Sequence, residues 1–144
     1  MTERQALKKQ TCFALYSTSR SFTAAYRPLL DSLGLTYPQY LVLLLLWEQD
    51  QASVNELGEA LQLDSGTLSP LLKRMETAGL IRRHRAAEDE RRVQVELTDD
   101  GVALHQRVTS VQQELAAKAG ITAEEAEQLC QILAKLNNSL RDNL

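Results

Sequence analysis

The chain is poor in the residues that build sheets and staples. Aromatic residues make up 5% of its 144 positions, and there are two cysteines, two histidines and three prolines. Few aromatics beside many leucines point to helices rather than a sheet-dominated fold. Two cysteines are too few for a disulfide framework, and a chain of this length buries a core without one. The longest apolar run, Tyr40 to Trp47, falls far short of the roughly 18 residues of a membrane span. The N terminus lacks the order of a secretory signal. These absences predict a cytoplasmic protein with no membrane partner, in which cysteines are free or regulatory. Neither His84 nor His105 has metal-ligand neighbours, so no metal and no cofactor is expected. The net charge of −3 does not decide about nucleic acid, because a DNA binder needs only a local basic surface.

What is present reads as one domain over 1–144, mainly α with a small β-hairpin. A first helix is expected from about Arg4 to Ser32, striped by Leu15, Phe22, Tyr26, Leu29 and Leu33. Pro28 interrupts it and Gly34 stops it. Thr36 with Gln39 forms a capping box for a central, buried second helix. Ser53 with Glu56 forms another, for a short helix carrying Val54, Leu57 and Leu61. Asp64 and Ser65 are N-cap candidates for a helix over 65–78, with Leu68, Leu71, Leu72 and Met75 inward. From Leu80 the period changes to two: 80–85 and the segment around Val93, Val95 and Leu97 pair as strands about a turn at 86–90. Thr98 opens a long helix with Leu104, Val108, Val111 and Leu115 inward. Gly120 breaks it. Thr122 and Glu125 cap a last helix striped by Leu129, Leu133, Leu136 and Leu140.

Two short helices followed by a hairpin make a winged helix-turn-helix, here over about 36–98. Its second helix enters the major groove. That helix presents Ser65, Thr67, Ser69, Pro70, Lys73, Arg74 and Thr77 outward; small hydroxyls approach bases and phosphates closely. Between Lys73 and Arg92 stand seven basic residues, Arg83 and Arg85 among them, against four acids. At the acidic turn, Asp89 pairing with Arg91 would aim that arginine at a narrow minor groove. The flanking helices, about 4–33 and 99–144, carry apolar stripes longer than a small winged domain buries, which predicts a homodimer on a pseudo-palindromic duplex.

Cys12 follows Lys8 and Lys9 by four and three residues and precedes Tyr16 by four. On one helix these share a face, and nearby cations and hydroxyls favour a thiolate. The competing reading is a small packed hydrophobe. Cys130 borders the stripe of the last helix, where packing explains it.

Four segments resemble the MarR family of transcriptional regulators, and within it the OhrR-like organic-hydroperoxide sensors. They are Thr11-Cys12-Phe13-Ala14-Leu15-Tyr16, Leu35-Thr36-Tyr37-Pro38-Gln39-Tyr40 with the leucine run after it, Leu63 through Arg74, and Glu88-Asp89-Glu90-Arg91. The resemblance implies that Cys12 is the peroxide-sensing thiol. It implies that Tyr26 and Tyr37 reach it from the other subunit, that Tyr16 joins the pocket, and that Arg91 enters the minor groove with Asp89 as partner. The implied function is a repressor of double-stranded DNA, released when organic hydroperoxide oxidises Cys12. Cys130 is the candidate second thiol, but two-cysteine members place theirs near Ala116, so a small cellular thiol is the alternative trap. Two rival functions stand beside this one: a repressor released by a small phenolic ligand, and a thiol peroxidase.

Overall fold

Local rules set most of the element boundaries. In the computed structural model, which describes residues 6–144, Thr36 caps α2 (Tyr37–Gln49), its hydroxyl accepting from Gln39 N at 3.3 Å while the Gln39 side chain accepts from Thr36 N at 3.1 Å. The helix is apolar nearly all round, and Tyr40, Val42, Leu43 and Leu46 are buried. Ser53 caps α3 (Val54–Leu61) and Asp64 caps α4 (Ser65–Thr77), accepting from Thr67 N at 2.7 Å. That bond to backbone N–H holds the Asp64 carboxyl below its ordinary range. Gly79, at φ +78°, turns the chain out of α4 in a backbone region that side-chain-bearing residues avoid.

The N terminus departs from expectation. The expected start at Arg4 lies outside the described residues. Leu7–Lys9 form a separate 3-10 turn, Gln10 is extended at φ −83° and ψ 122°, and α1 runs Thr11–Asp31. Lys8 and Lys9 are therefore not on the helix of Cys12, and the helical spacing that would set them on its face does not apply. Pro28 lies within α1, which ends three residues before Gly34.

The sheet has three strands, not two. A short β1 (Gln51–Ser53) precedes α3 and pairs with β3 (Val93–Leu97), which pairs with β2 (Ile81–Arg85), giving the antiparallel order β1-β3-β2. The wing loop runs over 86–92, longer than the turn expected, so Arg92 belongs to the loop. It is closed by Ala86 N donating to Arg92 O at 2.8 Å.

By its contacts the chain forms two units, Met1–Val111 and Gln112–Leu144. In the first, Leu30, Leu43, Leu46, Leu57, Leu68, Leu72, Met75, Ile81, Val95 and Val108 make one core. Each is nearly fully buried, worth about 1.5–3 kcal/mol per side chain. The first half of α5 (Asp99–Ala119) thus belongs to this core, with the expected inward positions Val108 and Val111 buried in it and Leu104 packed against it. A polar knot fixes its start. Thr98 Oγ1 donates to Gly79 O, Thr98 N donates to Leu80 O at 3.0 Å, and Trp47 Nε1 donates to Gly101 O at 3.0 Å. Gly101 has to be glycine here, since a methyl group would collide with the Leu80 carbonyl. The second unit holds the end of α5 and α6 (Ala123–Asp142), capped by the Thr122–Glu125 box. Among the described residues no helix is long and apolar enough to cross a membrane.

Candidate DNA-reading surface and thiol–tyrosine site

The capped start of α4 places Ser65, Thr67, Ser69, Pro70, Lys73 and Arg74 on its exposed side, opposite the buried Leu68, Leu71, Leu72 and Met75. Pro70 removes the N–H that would bond the Gly66 carbonyl, leaving that oxygen in the exposed first turn without its helical donor. Among the described residues Lys73 and Arg74 have no ion-pair partner, so both charges are available outward.

The basic residues of the wing divide by what they hold. Arg91 is the exposed tip, its side chain 94% accessible. Asp89 Oδ1 accepts from Arg91 N at 3.0 Å and from Arg91 Nε at 3.4 Å, so one carboxylate fixes both ends of that residue. Arg85 donates to the Glu90 carbonyl at 2.7 Å and stiffens the loop from inside. Arg83 is spent within the chain: its guanidinium pairs with Glu76 at 3.2 Å, and its backbone N donates to the other Glu76 oxygen at 3.1 Å. These bonds hold the Glu76 carboxyl below its ordinary range.

Glu56 was expected to close a capping box on Ser53. Ser53 Oγ does accept from Glu56 N at 3.1 Å, but the Glu56 carboxylate pairs with Arg92 instead. Two braces therefore join wing to helices: Glu56 of α3 to Arg92, and Glu76 of α4 to Arg83. The sequence reading missed Glu56, Glu76 and Arg92 in these roles. Opposite charges 36 residues apart leave no periodic trace.

At the other end of the unit, α1 and α2 bring aromatic rings together. Tyr26 lies 5.4 Å from Tyr37, edge to face, and 5.3 Å from Tyr40, with Tyr37 and Tyr40 5.9 Å apart. Phe22 joins at 5.8 Å from Tyr26. Burial first, then the hydrogen bond to Tyr40, pushes the Tyr26 phenol well above its ordinary value; burial raises Tyr37 as well. Both hydroxyls stay protonated and able to donate at neutral pH.

Cys12 is in the first turn of α1 and exposed. Tyr16, one turn on, is 62% exposed with Arg20 stacked 5.5 Å over its ring. Fourteen residues of helix separate Cys12 from Tyr26, about 21 Å at 1.5 Å per residue. One copy of the chain thus brings Tyr26 and Tyr37 together but leaves Cys12 and Tyr16 apart from them. Cys130 is also exposed on α6, so packing within the chain does not account for it.

The chain is similar to known transcriptional regulators in sequence and in fold. Residues 24–108 match the model of the SarA/Rot family of transcriptional regulators. The organic hydroperoxide resistance transcriptional regulator of Bacillus subtilis is 46% identical, over 96% of this chain and 94% of its own. AbfR of Staphylococcus epidermidis has a similar structure in two DNA complexes. The reduced form has 35% identity and a TM-score of 0.79, covering 94% of this chain and 93% of that one. The overoxidised form has 35% identity and a TM-score of 0.78, with 93% and 94% covered. With a family model matched over more than half its length and a relative nearly half identical along almost all of it, this chain belongs to the MarR-type transcriptional regulators, in their OhrR-like branch.

Proposed function

We propose that the protein is a homodimeric, redox-sensing repressor that lets go of its DNA when organic hydroperoxide oxidises Cys12. The observation that carries this is the 21 Å gap along α1. A thiol on the first turn and a pair of protonated tyrosines at the far end meet only if a second copy lies antiparallel against α1. The apolar side chains left exposed on the N-terminal elements, Leu7, Leu15 and Phe22, are 62%, 37% and 46% accessible in the single chain and suit such a contact. Tyr26 and Tyr37 of one subunit then donate to Cys12 of the partner subunit, with Tyr16 beside it.

The Cys12 thiolate attacks the outer oxygen of the hydroperoxide. The S–O bond forms as the O–O bond breaks. Sulfur is oxidised to sulfenic acid, and the peroxide is reduced to an alkoxide that takes up a proton and leaves as alcohol. A polar group now sits where two subunits pack, and the helices that carry the winged elements shift. Release requires only that the two states differ in DNA affinity. Each subunit reads half a site, with α4 in the major groove (Ser65, Thr67, Ser69, Lys73 and Arg74, shaped by Pro70) and Arg91, aimed by Asp89, in the minor groove. Arg85 stiffens the wing, and Arg83 acts through its brace. Oxidant is consumed stoichiometrically, so the protein is a switch rather than an enzyme, and DNA as partner places it in the cytoplasm.

The test is duplex binding before and after cumene hydroperoxide, using a duplex selected by the reduced protein from random-sequence DNA. Wild type should release it with an added oxygen or mixed disulfide on Cys12, and Cys12→Ser should hold it. Release by Cys12→Ser overturns the switch. A second reading has one observation behind it: a cavity of about 260 Å³ lined by Thr23, Arg27, Asp31, Thr36 and Tyr37. A small phenolic acid fits that volume and chemistry. It is favoured if such acids release DNA from Cys12→Ser.

A further inference from the structure

Tyr40 is one of the largest side chains of the core and is 3% exposed. A phenylalanine would fill the same volume. A buried hydroxyl costs stability unless it is hydrogen-bonded. Among the described residues no buried side-chain nitrogen or oxygen lacks a partner. Tyr26 is a partner across on α1: its ring lies 5.3 Å from that of Tyr40, and a hydrogen bond with Tyr40 is among the causes that raise its phenol. Tyr40 sits one turn beyond Tyr37 on α2 and faces α1, so it touches both sensing tyrosines.

We propose that Tyr40 is the positioning residue of the thiol–tyrosine site, holding and polarising the Tyr26 hydroxyl that faces the reactive sulfur. This rests on the reading of Cys12 as the sensor. A phenol carries one donor and can accept as well, and its hydrogen rotates to suit. In the single chain this bond raises the Tyr26 phenol, so Tyr26 is its donor; with a thiolate opposite, Tyr26 turns its O–H to sulfur and accepts from Tyr40 instead. The two hydroxyls then form a chain in which each bond strengthens the next. Tyr37 has a ring contact with Tyr40 but sits at the mouth of the helix, half-buried, so it depends on Tyr40 less.

The experiment measures the second-order rate of Cys12 oxidation by cumene hydroperoxide in the full-length protein, for Tyr26→Phe, Tyr40→Phe and the double variant. Duplex affinity of each reduced protein serves as the control. Tyr40→Phe should slow oxidation several-fold, and the double variant should be no slower than Tyr26→Phe alone. Reduced DNA affinity should stay within twofold of wild type. A purely structural hydroxyl would lower thermal stability without this non-additive rate pattern. A wild-type or faster rate in Tyr40→Phe, or a double variant slowed by the product of the two single effects, overturns the proposal. If Tyr26→Phe itself oxidises at the wild-type rate, the thiol–tyrosine reading falls and takes this one with it. If only Tyr40→Phe is unchanged, that reading stands and Tyr40 is packing.

Discussion

The wing and the first helix handle their charged and reactive groups in opposite ways. In the wing, Asp89 holds Arg91, Glu56 holds Arg92, Glu76 holds Arg83 and Glu90 holds Arg85, all within one chain. On α1, Cys12 and Tyr16 are exposed and their proposed partners lie a helix length away. One half is finished on its own; the other, under the proposed function, needs a second copy. A sensor built across an interface couples chemistry to geometry without a separate transmitting element, because the altered atom is already part of what spaces the two reading heads.

The sharpest way to break this contrast is to separate the subunits. Leu15→Glu places a charge on an exposed apolar position of α1. It should yield a folded monomer whose Cys12 oxidises like an ordinary thiol. Duplex binding should fall by at least about a hundredfold, since linking two binding heads is worth on the order of 10²–10⁴. Sedimentation, thiol kinetics and duplex titration check the three effects. A Leu15→Glu dimer with fast oxidation would move the interface elsewhere.

Within the finished half, Arg91→Ala should weaken duplex binding roughly tenfold and reduce the slope of log affinity against log salt by about one. Titration at several salt concentrations reads both. An unchanged slope removes Arg91 from the contacts. Asp89→Ala should show a smaller loss with the slope retained, because the charge is still present but no longer aimed.

The Glu76 brace gives a gentler, pH-dependent effect. Its folded pKa lies below the ordinary 4.5 because Arg83 and the Arg83 N–H stabilise the carboxylate. A depressed carboxylate contributes stability that is complete above its unfolded value and lost as pH falls through the folded one. Melting temperature should therefore drop on acidification below about pH 4.5, and Glu76→Gln should flatten part of that drop. Because the carboxylate is exposed, the change is small. A Glu76→Gln curve parallel to wild type would mean that the brace adds nothing.

Much of this was legible from residue order because it rests on local rules. Thr36, Asp64, Thr122 and the glycines after α1, α4 and α5 announce their ends whatever the tertiary structure, and the buried face of α4 follows from spacing. The Asp89–Arg91 pair was legible because its partners are two residues apart. What escaped depends on contacts between distant positions. The three residues of β1 are too few to show a period, and two of them are polar. Glu56 matched a capping box, yet Arg92 won its carboxylate. Lys8 and Lys9 looked like neighbours of Cys12 only while one helix was assumed to run through Gln10. Tyr40 read as the start of the apolar run of a buried helix, because a sequence shows a hydroxyl but not what it faces.

The smallest effect concerns Cys130, and it decides how oxidation is locked in. A sulfenic acid at Cys12 condenses with whichever thiol reaches it. Cys130 is exposed, as a resolving thiol has to be, but it lies on α6 in the second unit rather than near the join of the last two helices. With a small thiol such as cysteine present, Cys130→Ser should release DNA to the same extent and at the same rate as wild type, and mass analysis should find the small thiol on Cys12. Without added thiol, both proteins should stop at sulfenic acid and then pass to higher oxides. If wild type instead forms a reducible intersubunit dimer and Cys130→Ser does not, the last helix supplies the trapping sulfur. The contrast between wing and first helix then tightens, because the sensing half would draw on the second copy twice: for the tyrosines that prepare the thiol and for the thiol that captures its product.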